Sequence, residues 1–600
     1  MATAPSGAEA LLRGLRAMGV ERIFASPGSD WAPVWEALAA PHAETGFPQY
    51  VSSRHEETAV AMALGYAKAT GKLPAVFLHT TVGALHATMI VRAALHERIP
   101  MVVLAGESIG FGEPPGPKVG RQWLRVLTDT GGPARLMEPC AKWTFALNRG
   151  ALLPHTVQRA CQLATAAPRG PVFVSVPTEF LMETMVVSPP AVAALARPAE
   201  VAPAVIDEIA QALCDAKHPV IVTEEAGKDR AAVGSLVALA ESLGAPVLEA
   251  WQPYYVNFPR THPLYGGIVV EDMPEAVAQA DVVFLVESVA PWHPASAAPG
   301  DGTRVIVLGE DPLHSRLPFW GFRADLIAAG EVGPSLERLV DRVRQIVPPR
   351  SRAAKVAQWG ERHERERATR REAARAAGRE PALQNRWIAH ELNQVLPDDA
   401  ILVNETITHR LDLLRLHERA GAGSFYEASY GGLGVGLGMA LGVKHAQPSR
   451  PVVCTIGDGA FHYNPVVASF GAAQEHRLPI VVVLFDNAGY LSQKTDVATY
   501  HPGGAAVQTG RFAGTSIVPQ PDYVMLARAY GGTGEKVERP GDVRPALQRG
   551  LDAVAKGQLA LVHMVLEPVS GRAEFRRSPE TEQSGMGRQV GQLVDPHQDA

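Results

Sequence analysis

Residues 452–490 read VVCTIGDGAFHYNPVVASFGAAQEHRLPIVVVLFDNAGY. Two short apolar runs flank a segment of helical composition, and each run ends in polar residues. The pattern predicts a strand, a glycine turn, a helix and a second strand over residues 452–456, 457–459, 465–476 and 480–485. In such a βαβ unit the two strands are parallel, so both end at the same edge of the sheet.

Asp458 and Asn487 follow these two strand ends, and Gly489 comes shortly afterwards. Because ligands of open α/β sheets bind beside the carboxyl ends of the strands, we expect Asp458 and Asn487 to converge. One carboxylate, one amide oxygen and the backbone carbonyl of Gly489 form a hard oxygen set. That set suits Mg²⁺ or Ca²⁺ carrying phosphate oxygens. An ordinary βαβ unit with glycines in its turns is the alternative explanation.

Composition and length narrow the class of protein. A chain of 600 residues is too long for one hydrophobic core and predicts several domains. The net charge is −6, with no basic block suited to nucleic acid, and no signal peptide or membrane span is predicted. None of the four cysteines belongs to a CxxC pair, so we expect neither zinc nor disulfides, and a cytoplasmic location: Cys140, Cys161, Cys214 and Cys454.

Helices and strands alternate in three parts of the chain, which predicts an α/β fold of three doubly wound parallel-sheet domains over residues 1–185, 201–345 and 381–570. Residues 186–200 are a Pro/Ala-rich linker. Residues 346–380 are rich in Arg and Glu and predict a solvated helix with i,i+4 ion pairs rather than an RNA-binding arm. Residues 571–600 lack periodicity and are either a mobile tail or a lid.

Glu56 begins a predicted helix directly after a strand, within Arg54-His55-Glu56-Glu57. On its own, this carboxylate is explained as a partner of the helix dipole. Together with the GDG turn and its Asp-Asn pair, however, Glu56 and the following Gly65-Tyr66-Ala67-Lys68 resemble thiamine diphosphate (ThDP) enzymes. The resemblance implies that Glu56 is the catalytic acid that activates the cofactor. Glu57 is then a solvated neighbour.

The same resemblance assigns the domains and the metal ligands. It implies an N-terminal pyrimidine-binding domain, a central Rossmann-like domain and a diphosphate-binding domain. The metal would be held by Asp458, Asn487 and Gly489. The family motif usually ends in Asn-Asn, whereas here its first Asn is replaced by Asp486.

Two histidines and a serine make the chain similar to benzoylformate decarboxylase in particular. His79 lies in Leu78-His79-Thr80, which resembles the Leu-His-Ser segment with that enzyme's catalytic histidine, and Ser29 lies in a turn on the substrate side. His293 follows Ala290-Pro291 and matches a second catalytic histidine loosely. A turn histidine and a rim-packing Trp-His pair are the alternatives for His79 and His293. His86 stands where the family commonly has Asn.

The remaining cofactor contacts are carried over position by position. Thr406 and Thr408 resemble the hydroxyls that bind the diphosphate, although turn threonines explain them too. Leu433 resembles the residue that wedges under the cofactor. Ala460 stands where many relatives have a serine that binds phosphate. The other implied cofactor residues are Gly431, Gly457, Gly459 and Tyr490, and Leu491 and Ser492 join Ser29 and His79 in the implied substrate pocket.

The resemblance implies a ThDP- and Mg²⁺-dependent 2-oxo acid decarboxylase or carboligase that works through a C2 ylide and an enamine. An acetolactate synthase-like carboligase and a diketone C–C hydrolase are the enzymatic alternatives, and a non-catalytic ThDP-binding protein is disfavoured by the retained site residues. The expected partner is a small 2-oxo acid or related carbonyl compound, with no nucleic acid and no membrane. A homodimer is the expected minimum and a homotetramer is common. Residues 223–227 lack GxGxxG, so we expect no FAD.

Overall fold

The computed structural model describes residues 4–41, 46–110, 112–114, 116–129, 131–185, 194–197, 199–269, 274–293, 298–347, 352–427 and 431–568. Three six-stranded sheets follow one another along the chain, and every ladder between their strands is parallel. Helices lie on the faces of each sheet, as parallel strands require for their crossover connections. The predicted α/β class with three doubly wound sheets is confirmed.

The first sheet has the strand order β2-β1-β3-β4-β6-β5. Its strands Ala75–Leu78 and Pro171–Pro177 are buried on both faces, which explains their continuous apolar sequences, whereas the edge strands Gln49–Ser52 and Trp143–Ala146 are partly exposed. In chain order the strands are Arg22–Ser26, Gln49–Ser52, Ala75–Leu78, Met101–Glu107, Trp143–Ala146 and Pro171–Pro177. The helices are Gly7–Ala17, Ala32–Leu38, Glu56–Thr70, Thr80–His96, Arg125–Thr128, Gly132–Leu136, Leu153–Thr165 and Thr178–Met182.

The central sheet has the order β12-β11-β10-β7-β8-β9. Its strands are Pro219–Thr223, Val247–Glu249, Tyr265–Ile268, Val282–Val286, Arg304–Gly309 and Leu326–Ala329 (β7 to β12). Its helices are Pro203–Asp215, Arg230–Leu243, Glu275–Ala278 and Val332–Ile346. The charged helix Ala353–Ala377 follows. It is confirmed, with the predicted i,i+4 ion pairs from Arg362 and Arg370 to Glu366.

The third sheet has the order β14-β13-β15-β16-β18-β17. Its strands are Ile401–Glu405, Phe425–Glu427, Val452–Gly457, Val481–Asp486, Thr533–Val537 and Ala560–Val565 (β13 to β18). Its helices are Asn385–Val395, Arg410–Leu416, Gly436–Ala446, Asp458–Tyr463, Val466–Glu475, Leu491–Tyr500, Ala505–Thr509, Tyr523–Ala529 and Val543–Ala555. No helix among the described residues is long and apolar enough to span a membrane.

Two glycine-bearing helices join the first and third sheets within one chain. Glu56–Thr70 packs against Gly436–Ala446, and a Cβ at Gly65 would lie 2.1 Å from the carbonyl oxygen of Met439. In the same way, a Cβ at Gly442 would lie 2.0 Å from the carbonyl oxygen of Met62. These glycines therefore let the two helix backbones approach closely, and the helix that begins at Glu56 is fixed against the third sheet.

Helix boundaries next to the predicted site differ from the expected ones. The helix Thr80–His96 begins directly after His79. The predicted turn at residues 457–459 is shorter, because a helix starts at Asp458 and a second one runs over Val466–Glu475. In both places a helix begins immediately after a buried strand, so side chains at the strand end are placed at a helix N-terminus.

Candidate active site

Glu56 is the first residue of its helix, at the carboxyl edge of the first sheet. A Cβ at Gly83 would lie 3.3 Å from Cγ of Glu56, so the missing side chain leaves room for the carboxylate. One carboxylate oxygen lies 3.3 Å from Nδ1 of His86, whose side chain is 60% exposed. His86 also stacks on His55, with ring centroids 5.2 Å apart. The histidine at the usual Asn position therefore contacts Glu56 directly.

His79 lies between a carboxylate and a guanidinium. Its Nδ1 is 2.5 Å from Oδ1 of the fully buried Asp30, and its Nε2 is 2.7 Å from Nη2 of Arg125. Because a guanidinium only donates hydrogen bonds, Nε2 must accept, and the ring proton therefore lies on Nδ1 and is donated to Asp30. The contacts assign His79 the neutral tautomer with a basic Nε2.

Ser29 lies beside this group in a short 3-10 turn, Ser29–Trp31. Its hydroxyl oxygen accepts a hydrogen bond of 2.6 Å from Nε2 of Gln122. A Cβ at Gly28 would lie 2.0 Å from Nδ1 of His79, so only glycine permits this approach. Ser29, His79 and Glu56 all lie at the carboxyl edge of the first sheet, where α/β proteins bind ligands.

The buried carboxylate of Asp458 lies at the carboxyl edge of the third sheet. Its oxygens accept hydrogen bonds of 2.8 Å from the backbone N–H groups of Gly459 and Gly489. Burial, and then the neighbouring charge of Asp486, raises the pKa of Asp458 to about 7. A bound divalent cation would reverse this shift, because it favours the ionised carboxylate.

Asn487 follows the adjacent strand, since Gly457 pairs with Phe485 in the ladder. Its amide nitrogen lies 3.4 Å from Nε2 of His409, and burial lowers the pKa of His409 to about 4, so this ring is a neutral acceptor. The buried amide oxygen of Asn487 has no hydrogen-bond partner. An orphaned oxygen beside a buried carboxylate fits a hard cation.

Asp486, at the position where Asn is usual, is held by its own partners. His563 contacts one carboxylate oxygen at 2.6 Å, and Gln520 and the backbone N–H of Ala488 donate to the other at 2.5 and 2.9 Å. Burial is the largest influence and opposes ionisation, but the hydrogen bonds from His563 and from the backbone N–H of Ala488 act together against it, and the pKa of Asp486 is lowered. His563 therefore compensates the extra carboxylate of Asp486, which also lies close enough to Asp458 to raise the pKa of that candidate metal ligand.

Glu405 organises the glycine-rich segment over residues 431–436, which contains the implied cofactor residues Gly431 and Leu433. Its buried carboxylate accepts from the backbone N–H groups of Gly434 and Val435 at 2.9 and 2.8 Å and from Asn464 at 2.7 Å. Gly431, with φ +81°, is exposed in this segment. Leu433 is half-buried and packs against the core shared by the first and third sheets.

The two candidate threonines differ in burial and in the hydrogen bonding of their hydroxyl groups. The hydroxyl of the buried Thr406 donates to Oδ1 of Asn404 at 2.8 Å, whereas Thr408 is half-buried. Tyr490 lies over Gly459, where a Cβ would be 2.8 Å from its ring. Ala460 is buried. A Cβ at Gly457 would have no other atom within 4 Å. Leu491 and Ser492 are half-buried and begin the helix after Tyr490.

Other predicted features are exposed or lie outside the described residues. His293 is exposed, and its neighbours 294–297 lie outside the described part of the chain. The tail 571–600 and most of the linker 186–200 also lie outside it. Among the described residues, no hydrogen bond or ion pair joins Glu56 or His79 to Asp458 or Asn487 within one chain.

The sequence matches the thiamine pyrophosphate enzyme family in three successive parts. They are the N-terminal TPP binding domain over residues 5–110, the central domain over residues 206–319 and the C-terminal TPP binding domain over residues 408–564. The chain belongs to the thiamine pyrophosphate enzyme family. The matches in the first and third parts include the edges that carry Glu56 and Asp458, so the cofactor predicted from the sequence is supported by the family.

Relatives within the thiamine pyrophosphate enzyme family include decarboxylases and carboligases. The chain is 26% identical to benzoylformate decarboxylase of Pseudomonas aeruginosa, over 92% of this chain and 98% of the relative. It is 25% identical to the acetolactate synthase isozyme 3 large subunit of Escherichia coli, over 94% and 95%. The structure resembles the ThDP-dependent 4-hydroxybenzoylformate decarboxylase of Rhodococcus jostii RHA1, with a TM-score of 0.76, 26% identity and coverage of 94% and 100%.

Four residues of this site went unnoticed in the sequence. Asp30 directly follows Ser29, so its position next to a strand end was a usable signal. Gln122 and Arg125 lie in a segment without periodicity or motif, and only the chain fold brings them to Ser29 and His79. Glu405 ends a strand, but nothing in the sequence shows that its carboxylate caps a glycine segment.

Proposed function

We propose that the protein is a ThDP- and Mg²⁺-dependent 2-oxo acid decarboxylase, similar to benzoylformate decarboxylase, that can also form C–C bonds. The observation that carries the proposal is His79, which is held by Asp30 in one tautomer at the same sheet edge as Glu56. Decarboxylation needs a group that moves protons near neutral pH, and imidazole does so. Ser29 beside it offers a neutral hydroxyl to a substrate carboxylate.

Glu56 and the third-sheet residues divide the work of holding the cofactor. Bound ThDP supplies an electron sink for the electron pair left when CO₂ departs. In our proposal Glu56 would exchange a proton with the aminopyrimidine ring, and Leu433 would pack against the cofactor. The backbone of the Gly431 segment, fixed through Glu405, orients the ring. Thr408 and the start of the helix at Asp458 face the diphosphate, which a helix N-terminus favours.

Asp458, Asn487 and the carbonyl of Gly489 are the proposed metal ligands. The unpartnered amide oxygen of Asn487 and the raised pKa of Asp458 support a cation at this place. All three donors are oxygens, which suits Mg²⁺ and also Ca²⁺. His409 orients the amide of Asn487 so that its oxygen stays available.

We propose that a homodimer is the smallest active unit, and that dimers pair into a tetramer. Among the described residues, no hydrogen bond or ion pair of one chain joins Glu56 or His79 to Asp458 or Asn487, although the helix that begins at Glu56 packs against the third domain. Apolar side chains next to Glu56 and His79 are exposed in the single chain, with Val82 and Leu85 each 47% exposed. A second copy would cover them and supply the complementary edge.

We propose that the central domain holds no FAD. A dinucleotide would lie at the carboxyl edge of its sheet, where the buried carboxylates of Glu224, Glu225 and Glu287 are found. Arg98 of the first domain contacts both Glu225 and Glu287 there. The three carboxylates would repel the phosphate groups of FAD, and the guanidinium of Arg98 already occupies the place of a positive partner. The four cysteines are all free, which fits the cytoplasmic location that we propose.

A panel assay tests the proposed function. The protein is loaded with ThDP and Mg²⁺, and CO₂ release and products are followed by NMR with pyruvate, longer 2-oxo acids and benzoylformate. We expect CO₂ with an aldehyde as the main product. A hydroxyketone as the main product would instead favour the acetolactate synthase-like carboligase. Absence of CO₂ from every donor, with the cofactor bound, would contradict decarboxylation and lead to diketone cleavage or a non-catalytic role.

A further inference from the structure

The segment after the fourth strand carries two polar residues into the predicted substrate pocket. Gly120–Leu124 is a 3-10 helix that continues directly into the short helix Arg125–Thr128. Residues three apart lie on the same side of a 3-10 helix. Gln122 therefore donates to Ser29 from the same side on which Arg125 donates to His79. One face of the segment thus contacts both pocket residues.

Arg125 is bonded differently from the buried arginines of the chain. Arg98 contacts Glu225 and Glu287, and Arg260 contacts Glu249. Arg125, in contrast, donates to the neutral Nε2 of His79, and no ion pair joins it to a carboxylate in the part of the chain that the structure describes. A half-buried guanidinium with an uncharged acceptor still has donors for an anion.

The scissile carboxylate of a 2-oxo acid is a poor partner for this cation. That carboxylate loses its charge as CO₂ forms, so a guanidinium bound to it would stabilise the ground state more than the transition state and slow the reaction. The neutral Ser29, held by Gln122, suits the scissile group better. A different anionic group is therefore the better partner for Arg125.

We propose that Arg125 recognises a second anionic group of the substrate, so that the protein prefers 2-oxo acids with a distal carboxylate or sulfonate. The inference rests on the proposed decarboxylase function and names its substrate class. When Arg125 pairs with the distal anion, it leaves Nε2 of His79 free to accept or deliver a proton. Substrate charge then controls both binding and the state of the proton-carrying histidine.

The first test compares dianionic substrates with a neutral substrate of matched shape. The panel contains 2-oxoglutarate, 2-oxoadipate and 3-sulfopyruvate, together with 5-methyl-2-oxohexanoate, in which two methyl groups replace the distal carboxylate oxygens of 2-oxoglutarate. We expect kcat/KM for the best dianionic substrate to exceed that of the neutral isostere by about tenfold or more, as a charge-assisted hydrogen bond provides. The carboxylate and sulfonate arms identify which anion is preferred.

The second test changes the guanidinium. Arg125→Gln should lower kcat/KM for the dianionic substrate by about tenfold to a hundredfold, mainly through KM, and so remove most of its preference over the neutral isostere. Arg125→Lys should restore part of the preference because it retains the charge. Arg121→Gln is the matched control, since Arg121 is exposed in the same 3-10 helix.

Binding without turnover gives an independent readout. Calorimetric titration with glutarate should show binding to the cofactor-loaded wild type and to Arg121→Gln, and weaker binding to Arg125→Gln. Equal losses for charged and neutral substrates, or a changed pH profile with both, would show that Arg125 acts only through His79 and would overturn the proposal. A loss of dimer in Arg125→Gln would assign Arg125 to the partner interface instead. Turnover of neutral 2-oxo acids alone would refute this inference and leave the decarboxylase function intact.

Discussion

The carboxyl edges of the first and third sheets are built on the same plan but carry different chemistry. At the third sheet, Asp458 and Asn487 leave adjacent strands through short turns, and backbone N–H groups hold the carboxylate. At the first sheet, Asp30, His79 and Arg125 come from three separated segments and bond side chain to side chain. The backbone of one edge suits an invariant cofactor, whereas the side chains of the other suit a variable substrate.

This difference predicts separable defects. Substitutions at the third sheet should weaken cofactor and metal binding, because that edge supplies the oxygen ligands. Substitutions at the first sheet should lower turnover while the cofactor still binds. If variants at both sheets lowered cofactor binding and turnover alike, the proposed difference between the two edges would be wrong.

Substitution of Glu56 should have the largest effect on turnover. In Glu56→Gln the side chain keeps its shape but cannot share a proton with the aminopyrimidine, so we expect kcat to fall by about 10²- to 10⁴-fold. ThDP affinity, measured by fluorescence titration, should change by less than about tenfold, because one hydrogen bond is altered. Glu57→Gln is the matched control and should retain activity. A near-normal kcat in Glu56→Gln would contradict a catalytic role for this carboxylate.

Asp458→Asn should act on binding rather than on proton transfer. Loss of the only charged metal ligand should weaken Mg²⁺-dependent ThDP binding by about a hundredfold or more, since even outer partners of metal ligands are worth 10- to 100-fold. Raised Mg²⁺ should restore part of the activity. Asp496→Asn, at an exposed helix position, is the control. Unchanged Mg²⁺ dependence in calorimetry would contradict the assignment of Asp458.

His79→Asn should lower turnover with little change in cofactor affinity. The amide cannot carry a proton at neutral pH, so we expect kcat to fall by about a hundredfold, the lower range for an acid–base group. Product analysis sharpens the test, because slower protonation should raise the share of hydroxyketone over aldehyde. A variant with wild-type kcat and product ratio would show that His79 is a turn residue without a catalytic role.

Glu427 offers a smaller effect that is read in stability. This residue ends a strand of the third sheet, and Asn404 donates to both its carboxylate oxygens. Burial raises its pKa to about 7, against the opposing charges of Arg410, Lys68 and Arg260. Because the folded pKa lies above the unfolded one, its stabilising contribution is present at low pH and is lost as pH rises through about 7.

The free energy of unfolding should therefore fall with pH more steeply in the wild type than in Glu427→Gln. Between pH 5 and pH 7 the free energy of unfolding of the wild type should fall by about 2 kcal/mol more than that of Glu427→Gln, from the linkage of one shifted carboxyl group. Urea unfolding of the cofactor-free protein at several pH values measures this. Parallel pH profiles for the two proteins would show that Glu427 is ionised in the fold.

The two edges also differ in how far the sequence predicts them. The candidate metal ligands of the third sheet can be predicted from local sequence. Apolar runs predict the strands, and the GDG and Asp-Asn turns follow those strands directly in the sequence. The first-sheet helix at Glu56 was predicted with its boundaries, and His79 was recognised as a candidate. Its partners Asp30 and Arg125 were not, since side-chain pairing across distant segments depends on tertiary packing that periodicity does not encode. The start of a helix at Thr80, with φ +34°, also left no sequence signal.

Subunit complementation tests most directly whether the two edges form one site across two copies of the chain. Glu56→Gln and Asp458→Asn, each with strongly reduced activity alone at low Mg²⁺, are coexpressed with different tags and purified through both. A mixed dimer then contains one site with both substitutions and one site with neither. We predict that the mixed dimer regains about half of the wild-type decarboxylase activity, because two-fold symmetry leaves one of its two sites intact. Mixed dimers as inactive as either parent would contradict a shared site and place both edges in one chain's own centre.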